Sequence, residues 1–376
     1  MRRPAPGALA TALVLAVAVA TTAGCGGSAS GDHVRWHSAD LGAGWVPIGI
    51  NGRGDVIVRS DPEYHGRSFV WHDGARTVLS FPGSSWVEAQ AINDRGDVIG
   101  TASSYGGGYL SILWRAGRLT RLGISAVALN DEDAVAGSID VPAGSRRHTA
   151  HAALWRNGKV TDLGTLGGAS SSATGINNRG QVIGVSELPD GRRHAFLWER
   201  GHMTDLGSRF RLDSAPNAIN DRGEIVGGLY THDVHNLVVA VVWRNGRLVD
   251  LGRFGDRAAE ASGVNGAGHV LVSTWGNSGG HSGGALLLRD GNAVELKSAC
   301  GGVTVVAHVL TADDEVTGTC YGPDETPWNF LWRNGRMQIL SRTVGVWPVY
   351  VDDRGEVAAV ALARGAQHAV LLTPAS

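Results

Sequence analysis

The feature that most constrains the fold is a repeat of about 43 residues that runs along most of the chain. Segments similar to "AINDRGDVIG" (91–100) can be aligned on their Asn, which gives the equivalent positions Asn51, Asn93, Asn130, Asn177, Asn220, Asn265, Thr311 and Asp352. The spacings between them are 42, 37, 47, 43, 45, 46 and 41 residues. A period of this size is typical of the blades of a β-propeller, each of which holds four strands.

Each unit supplies four short runs that suit β-strands. In one unit these are "ATGIN" (173–177), "QVIGV" (181–185), "HAFLW" (194–198) and "MTDLG" (203–207). The apolar runs do not alternate with polar residues, as expected of strands that are covered on both faces by neighbouring blades. No segment keeps a helical period, so the sequence predicts an all-β protein.

Two kinds of turn signal recur in the units. Asn-Gly or Asp-Gly pairs separate the third and fourth runs, and such pairs favour the type I′ turn of a β-hairpin. They occur at residues 73–74, 157–158, 245–246, 290–291 and 334–335. "NDRG" or a relative separates the first and second runs, and Asp133 and Asp314 stand where most units have Gly. Because Asp tolerates positive φ, this replacement predicts a backbone requirement at that position.

The two ends of the array are complementary. The last unit stops at "HAVLL" (368–372), without its fourth run, whereas "VRWHSADLG" (34–42) is a fourth run without its first three. Together they complete an eighth unit and join the two ends of the chain in one blade. We therefore predict an eight-bladed β-propeller with circular closure, and seven blades are the alternative.

The repeats resemble the HAF-type bacterial extracellular repeat, which is named after its His-Ala-Phe triplet. His194-Ala195-Phe196 and "TDLGTLGG" (161–168) match its motif, and the triplet is degraded at 151–153 and 368–370. The resemblance covers nearly the whole chain after the leader and implies an envelope or extracellular setting. It implies no particular activity.

The N-terminus has the layout of a secretory leader. Arg2 and Arg3 precede an apolar run from Ala8 to Ala20, which is short for a membrane span. The segment 22–25 resembles a lipobox, although Thr22 stands where Leu is commonest. We expect residues 1–24 to be a lipoprotein signal peptide, Cys25 to be lipidated, 25–32 to be a flexible tether and 33–376 to be the propeller. Ordinary secretion is the alternative.

Composition narrows the class of partner. The net charge is −2 and no basic tract is present, so nucleic acid is excluded as an expected partner. We expect a monomer with no cofactor and no metal site, held by its lipid on the outer face of a bacterial membrane. In that oxidising setting the two cysteines beyond the leader, Cys300 and Cys320, are expected to form a disulfide.

Several residues that suit an active site occur at repeated positions. His151, His194 and His368 would lie on separate blades, so we expect each to pack near a strand start and bond a loop carbonyl rather than bind metal. Leu288 and Leu372 replace the repeat Trp in two units, which favours an apolar role between blades. The repeat tryptophans are Trp71, Trp114, Trp155, Trp198, Trp243 and Trp332.

One segment imitates a catalytic motif. Residues 280–284, "GHSGG", satisfy G-x-S-x-G, the nucleophile elbow of α/β-hydrolases. That elbow needs a strand, a sharp turn and a helix, whereas this match lies in a glycine-rich loop before a strand-like run. We therefore expect no catalysis from it.

Function is expected in the loops that are not repeated. The loops between second and third strands and those between blades emerge on one face of a propeller. Here these loops carry aromatic residues among Gly, Ser, Asp and Asn. Such a composition suits binding of a glycan, peptidoglycan component or protein. These aromatic residues are Trp45, Trp86, Tyr105, Tyr109, Tyr230, Trp275, Tyr321, Trp328 and Trp347. Three alternatives stay open: loops that only cap the face, a glycan-active enzyme using carboxylates such as Glu88, Asp140 or Asp233, and a structural scaffold.

Overall fold

The computed structural model describes residues 36–60, 66–103, 108–143, 147–207, 212–230, 238–252, 254, 257–276, 283–302, 304–342, 349–363 and 366–375. Within them the chain forms 32 strands, which are grouped in eight four-stranded antiparallel sheets. In this described part, no helix is long and apolar enough to cross a membrane.

The first four blades follow the order of the chain. Blade 1 contains β2 (Trp45–Ile50), β3 (Val56–Ser60), β4 (Ser68–His72) and β5 (Ala75–Val78). Blade 2 contains β6 (Val87–Ile92), β7 (Val98–Ser103), β8 (Tyr109–Arg115) and β9 (Arg118–Arg121). Blade 3 contains β10 (Ser125–Leu129), β11 (Ala134–Ala143), β12 (Arg147–Arg156) and β13 (Lys159–Asp162). Blade 4 contains β14 (Ser171–Ile176), β15 (Val182–Glu187), β16 (Arg193–Glu199) and β17 (His202–Asp205).

The remaining blades complete the ring. Blade 5 contains β18 (Asp213–Ile219), β19 (Ile225–Tyr230), β20 (Val238–Arg244) and β21 (Arg247–Asp250). Blade 6 contains β22 (Arg257–Val264), β23 (Val270–Gly276), β24 (Gly283–Arg289) and β25 (Asn292–Glu295). Blade 7 contains β26 (Val305–Leu310), β27 (Val316–Tyr321), β28 (Pro327–Arg333) and β29 (Arg336–Arg342). Blade 8 contains β30 (Tyr350–Val351), β31 (Val357–Ala363), β32 (Ala366–Pro374) and β1 (Trp36–Ala43).

The predicted closure is confirmed, and with it the eight-bladed propeller rather than the seven-bladed alternative. The first strand of the chain, β1, pairs antiparallel with its last, β32, and the register runs from Trp36 opposite Pro374 to Ala43 opposite His368. The ring therefore has no blade left with an unpaired third strand, which removes an exposed sheet edge.

The chain direction defines two faces of the ring. Turns between first and second strands and hairpins between third and fourth strands lie on one face, which we call the turn face. Loops between second and third strands and links between blades lie on the other, which we call the loop face. Because fourth strands run from the turn face to the loop face, the start of β1 lies on the turn face, next to the end of β32.

The predicted backbone requirement in the turns is confirmed. The glycines that end the "NDRG" segments have positive φ, for example 81° at Gly54 and 82° at Gly223. Asp133 and Asp314, which replace them, have φ of 61° and 63°. In the hairpins both central residues have positive φ, as at Asn157 (51°) and Gly158 (81°), which is the geometry of a type I′ turn.

The repeat Asn fastens neighbouring blades together. Its Oδ1 accepts backbone N–H groups two and four residues later, as Asn130 does from Glu132 (3.0 Å) and Ala134 (3.0 Å). Its Nδ2 donates to the carbonyl of the equivalent residue in the next blade, as Asn130 does to Asn177 (2.9 Å). The same bond links each successive pair from Asn51 to Thr311, so a belt of amides runs along seven blades.

The repeat Trp has the predicted role in the core between blades. Trp155, Trp243 and Trp332 are buried, and the indole N–H of Trp243 donates to the carbonyl of Leu206 in blade 4 (2.9 Å). Trp71, Trp114 and Trp198 are half-buried and pack against clusters built from two adjacent blades. An apolar requirement explains why Leu288 and Leu372 occupy this position elsewhere.

The expected partner of the triplet His was wrong. His194 is buried, and its Nδ1 lies 2.9 Å from Asp205 Oδ1, a carboxylate of the adjacent fourth strand, rather than bonding a loop carbonyl. His151 pairs with Asp162 in the same way (3.0 Å), and so does His368 with Asp40 (3.0 Å). The His bonds the carboxylate rather than a loop carbonyl because the strand register places the start of the third strand beside the end of the fourth.

Candidate functional site

The predicted aromatic residues of the loop face fall into different environments. Two of them, Trp86 and Tyr109, come together in blade 2, with ring centroids 5.7 Å apart and planes at 49°. Among the residues that the structure describes, Tyr109 is the most exposed of the large hydrophobic ones, at 75% of its surface. Trp86 is half-buried, so the exposed ring of Tyr109 and the open part of the indole together offer a stacking surface to a ligand.

The backbone around Trp86 leaves room for its ring. Gly66, from blade 1, has a φ of 39°, and a Cβ built there would lie 3.0 Å from Trp86 Cε3. A side chain at position 66 would therefore displace the indole. Blade 1 thus forms one wall against which the Trp86 ring rests.

Three serines hold the chain before β6 in place. Ser103 Oγ, at the end of β7, accepts the backbone N–H of Ser85 (2.9 Å) and that of Trp86 (3.3 Å). Ser85 Oγ lies 2.9 Å from the same hydroxyl, and Ser84 Oγ donates to the carbonyl of Ser103. These bonds fix the position of Trp86, although its segment lies outside the strands.

Glu88, two residues after Trp86 on the inner strand β6, forms an ion pair with a residue of blade 1. Arg59 Nη1 of blade 1 is 2.5 Å from Glu88 Oε1 of blade 2. Both side chains stay about one-third exposed (34% and 37%), so each keeps hydrogen-bonding capacity toward solvent. We call Trp86, Tyr109, Ser85, Arg59 and Glu88 the blade 2 platform.

Tyr230 lies on the loop face but is held in the channel wall. Its hydroxyl donates to Glu260 Oε1 (2.6 Å), which also accepts from Asn217 Nδ2 (2.9 Å). Burial, followed by the hydrogen bond to Glu260, raises the pKa of Tyr230 well above its ordinary value. The phenol is therefore a neutral donor that joins blades 5 and 6.

Other predicted ligand-binding residues contribute to packing. Trp45 makes an edge-to-face contact with Phe69, with centroids 4.8 Å apart, and is half-buried. Trp275 and Tyr321 are half-buried at the ends of their strands. Trp328 packs against the apolar cluster that contains Cys300 and Cys320. Burial of this kind suits a structural role for Trp45 and Trp328.

The structure pairs Cys300 and Cys320 as a disulfide, with their Cα atoms 6.2 Å apart. The bond links the segment before blade 7 to the end of its second strand, β27. Cys320 is fully buried, and Cys300 is 6% exposed. The pair therefore belongs to the core of blades 6 and 7 rather than to an accessible site.

Some predicted residues lie outside the described part of the chain. These are Cys25, Tyr105, Asp233, Trp347 and residues 280–282 of the G-x-S-x-G match. The rest of that match, Gly283 and Gly284, begins strand β24, where the nucleophile elbow would require a helix. Of the carboxylates considered for catalysis, Asp140 is exposed on β11 and Glu88 is paired with Arg59.

Sequence reasoning missed a cavity on the turn face. Its volume is about 380 Å³, and blades 2 to 5 line it with the last residue of each inner strand, the repeat Asn and the residue after that Asn, while blade 6 adds Val264 and Gly266. The available signal was the residue after the Asn, which is Asp in Asp94, Asp131, Asp221 and Asp353. Only the ring arrangement shows that three of these carboxylates surround one opening.

Comparison with known proteins shows the fold and nothing finer. No protein-family model matches the chain, and no curated protein matches it. It is similar to a solved structure from a study of two prolyl endopeptidases, with a TM-score of 0.57 and 9% identity over 85% of this chain and 54% of that one. The chain thus spans about half the length of that structure.

Two further solved structures come from Pyrococcus proteins. The β-propeller domain of the trilobed protease from Pyrococcus furiosus has a TM-score of 0.50 and 9% identity, over 78% of this chain and 94% of that one. An acylaminoacyl peptidase from Pyrococcus horikoshii has a TM-score of 0.49 and 14% identity, over 79% of this chain and 52% of that one. The trilobed protease domain is described as having an open velcro topology, whereas here β1 and β32 close the ring.

Proposed function

We propose that this protein is a non-enzymatic binding module, tethered to the outer face of a bacterial membrane, that binds a glycan of the cell envelope through the blade 2 platform. The observation that carries the proposal is the Trp86–Tyr109 pair, in which Tyr109 is exposed and Trp86 is half-buried. Aromatic faces stack on the apolar faces of sugar rings, while charged and hydroxyl groups nearby bond the sugar hydroxyls.

The blade 2 platform supplies both kinds of group. Arg59 offers further N–H donors and Glu88 offers acceptor oxygens, and both remain partly exposed while paired. Ser85 adds a hydroxyl at an exposed position. Because Ser103 fixes the segment that carries Trp86, little ordering of this segment is needed when a ligand binds.

The direction of the chain is compatible with tethering. The first described residue, Trp36, lies on the turn face, while the blade 2 platform lies on the opposite loop face. A lipid on Cys25 would approach the propeller from the turn face through about ten residues, a reach of roughly 30 Å when extended. The blade 2 platform would then point away from the membrane.

A pull-down on purified cell-wall glycan tests the binding role. Trp86→Ala and Tyr109→Ala should each reduce retention at least tenfold, and Trp86→Phe should keep most of it because stacking survives. Trp275→Phe, at a half-buried loop-face aromatic of blade 6, is the control and should bind as wild type. Unchanged retention of both alanine variants, with folding checked by circular dichroism, would contradict the proposal.

Fractionation tests the tether separately. Cys25→Ser should move the protein from the membrane fraction to the soluble fraction, since it removes the acceptor of the lipid. If the variant fractionates as wild type, the anchor is wrong while the binding role stands on its own test.

A further inference from the structure

The cavity on the turn face has an apolar floor. Five aliphatic side chains, each the last residue of an inner strand, converge there at the end of the channel and remain half-buried: Ile92, Leu129, Ile176, Ile219 and Val264. The volume of about 380 Å³ lies within the range of small-molecule sites, roughly 300–1,000 Å³.

The rim of the cavity carries negative charge. The residues that follow the repeat Asn in blades 2, 3 and 5 are Asp94, Asp131 and Asp221, and blade 4 has Asn178 between them. Among the described residues, none of the three carboxylates forms an ion pair. Their charge is thus not neutralised by an ion pair in this part of the chain, and Arg95 Nη1 donates to the backbone carbonyl of Asp131 (3.0 Å) rather than to its carboxylate.

Arginines of the same turns have other partners. Arg95 pairs with Asp133 (3.2 Å), Arg222 with Glu224 (3.2 Å) and Arg179 with Glu199 (3.9 Å). None of these three acids lines the cavity. The arginines therefore leave the rim carboxylates available to a cation from solution.

The carboxylates are held in place by bonds between blades. Asp131 Oδ1 accepts the backbone N–H of Asp94 (2.9 Å), and Asp221 Oδ1 accepts that of Asn178 (2.8 Å). Asn178 Nδ2 donates to Asp131 Oδ2 (2.9 Å) and Asp221 Oδ2 (3.2 Å). A carboxylate accepts about four hydrogen bonds, so each keeps capacity for a ligand.

We propose that this cavity binds a small aliphatic polyamine. Its methylene chain would cover the apolar floor, and its ammonium groups would bond the carboxylates of Asp94, Asp131 and Asp221. A hydrated divalent metal ion would gain nothing from an aliphatic floor, and an anion would be repelled by the rim. The combination of floor and rim therefore selects an organic cation with several ammonium groups.

Calorimetric titration with spermidine at low ionic strength tests the proposal. Wild type should bind about one spermidine, and Asp131→Asn should bind it at least tenfold more weakly. The substitution keeps the acceptor for the Asp94 N–H, because Asn178 Oδ1 already accepts the equivalent bond from the Asp131 N–H, and it gives up the bond from Asn178 Nδ2 to Asp131 Oδ2. Asp353→Asn is the matched control: Asp353 occupies the same repeat position and accepts the Ala312 N–H (3.2 Å), but it does not line the cavity.

Two probes separate the site from nonspecific attraction of cations. Mg²⁺ carries two charges without an aliphatic chain, and 1,8-octanediol carries the chain without charge. Each should bind at least tenfold more weakly than spermidine. Equal binding of Mg²⁺ and spermidine, equal loss in Asp131→Asn and Asp353→Asn, or no binding of spermidine to wild type would overturn the proposal.

Discussion

At the scale of single residues, the repeat Asn combines two roles. Its carbonyl oxygen closes the local turn, and its NH₂ group reaches the next blade. Thr311 and Asp352 replace it in blades 7 and 8 and still accept the N–H four residues later. They have no amide NH₂ to donate, so the belt stops there while the turns persist.

This difference predicts the effect of replacing a repeat Asn of the belt with Thr, the residue found in blade 7. Asn130→Thr should supply a hydroxyl oxygen as acceptor for the Ala134 N–H, but it removes the amide donor to the Asn177 carbonyl, which would keep only the Gly180 N–H. We expect a loss of about 1–3 kcal/mol in the free energy of unfolding, measured with guanidinium chloride. Thr311→Ser, which keeps a hydroxyl where the belt already stops, should change it little. Equal losses in the two variants would contradict the role of the belt.

The hairpins supply a second prediction at this scale. Blade 2 has Ala116 at the first turn position, with a φ of 46°, where blade 3 has Asn157 with a φ of 51°. Ala116→Asn should stabilise the protein by about 1 kcal/mol, because Asn tolerates the left-handed region better than Ala. Asn157→Ala should destabilise it by a similar amount. Thermal unfolding checks both signs, and shifts in the same direction would refute the explanation.

At the scale of elements, the closure of the ring depends on two strands that no hairpin connects. In blades 3 and 4 the His–Asp pair lies 11 residues apart along the chain, whereas His368 and Asp40 are 328 residues apart. The bond therefore has the same geometry but a different consequence. In blade 8 it helps to hold β1 against β32.

Hydrogen exchange should show this consequence. His368→Ala should speed the exchange of amides in β1 (Trp36–Ala43) by about tenfold, since the opening of that strand is not limited by a turn. His151→Ala removes the equivalent pair in blade 3, and exchange in β13 should change less because the hairpin at 157–158 keeps the strands together. Equal acceleration in both strands would show that the closure is not the weaker point.

The elements were largely predictable because each signal recurs in several units. One "NDRG" segment would be a weak indication of a turn, but eight related segments at a regular spacing identify strands, turns and blade count. The partner of His194 was missed for a different reason. Its choice of Asp205 over a loop carbonyl depends on the register between the third and fourth strands, which the spacing of motifs does not determine.

At the scale of the whole molecule, the two faces differ in chemistry. The loop face carries the Trp86–Tyr109 pair beside an ion pair that is about one-third exposed, and the turn face carries a cavity with an aliphatic floor and three carboxylates. The ends of β1 and β32 lie on the turn face. The two proposed sites are thus separated by the length of the inner strands, and a ligand at one does not cover the other.

The candidate sites were less predictable than the fold, because they arise where the chain does not repeat. Trp45 and Trp86 are both off the repeat Trp position and looked equivalent, yet Trp45 packs on Phe69 while Trp86 pairs with Tyr109. The difference comes from neighbours in another loop. The turn-face cavity was missed because its residues are repeated, and each had an adequate local explanation.

The central claim is that the blade 2 platform binds a glycan of the cell envelope, and hydrogen exchange of the protein with and without purified cell-wall glycan tests it most directly. The account predicts protection at the segment 84–87 and at the start of β8, with β22 of blade 6, on the far side of the ring, unchanged. Protection confined to the turn face, or none at saturating glycan, would contradict it.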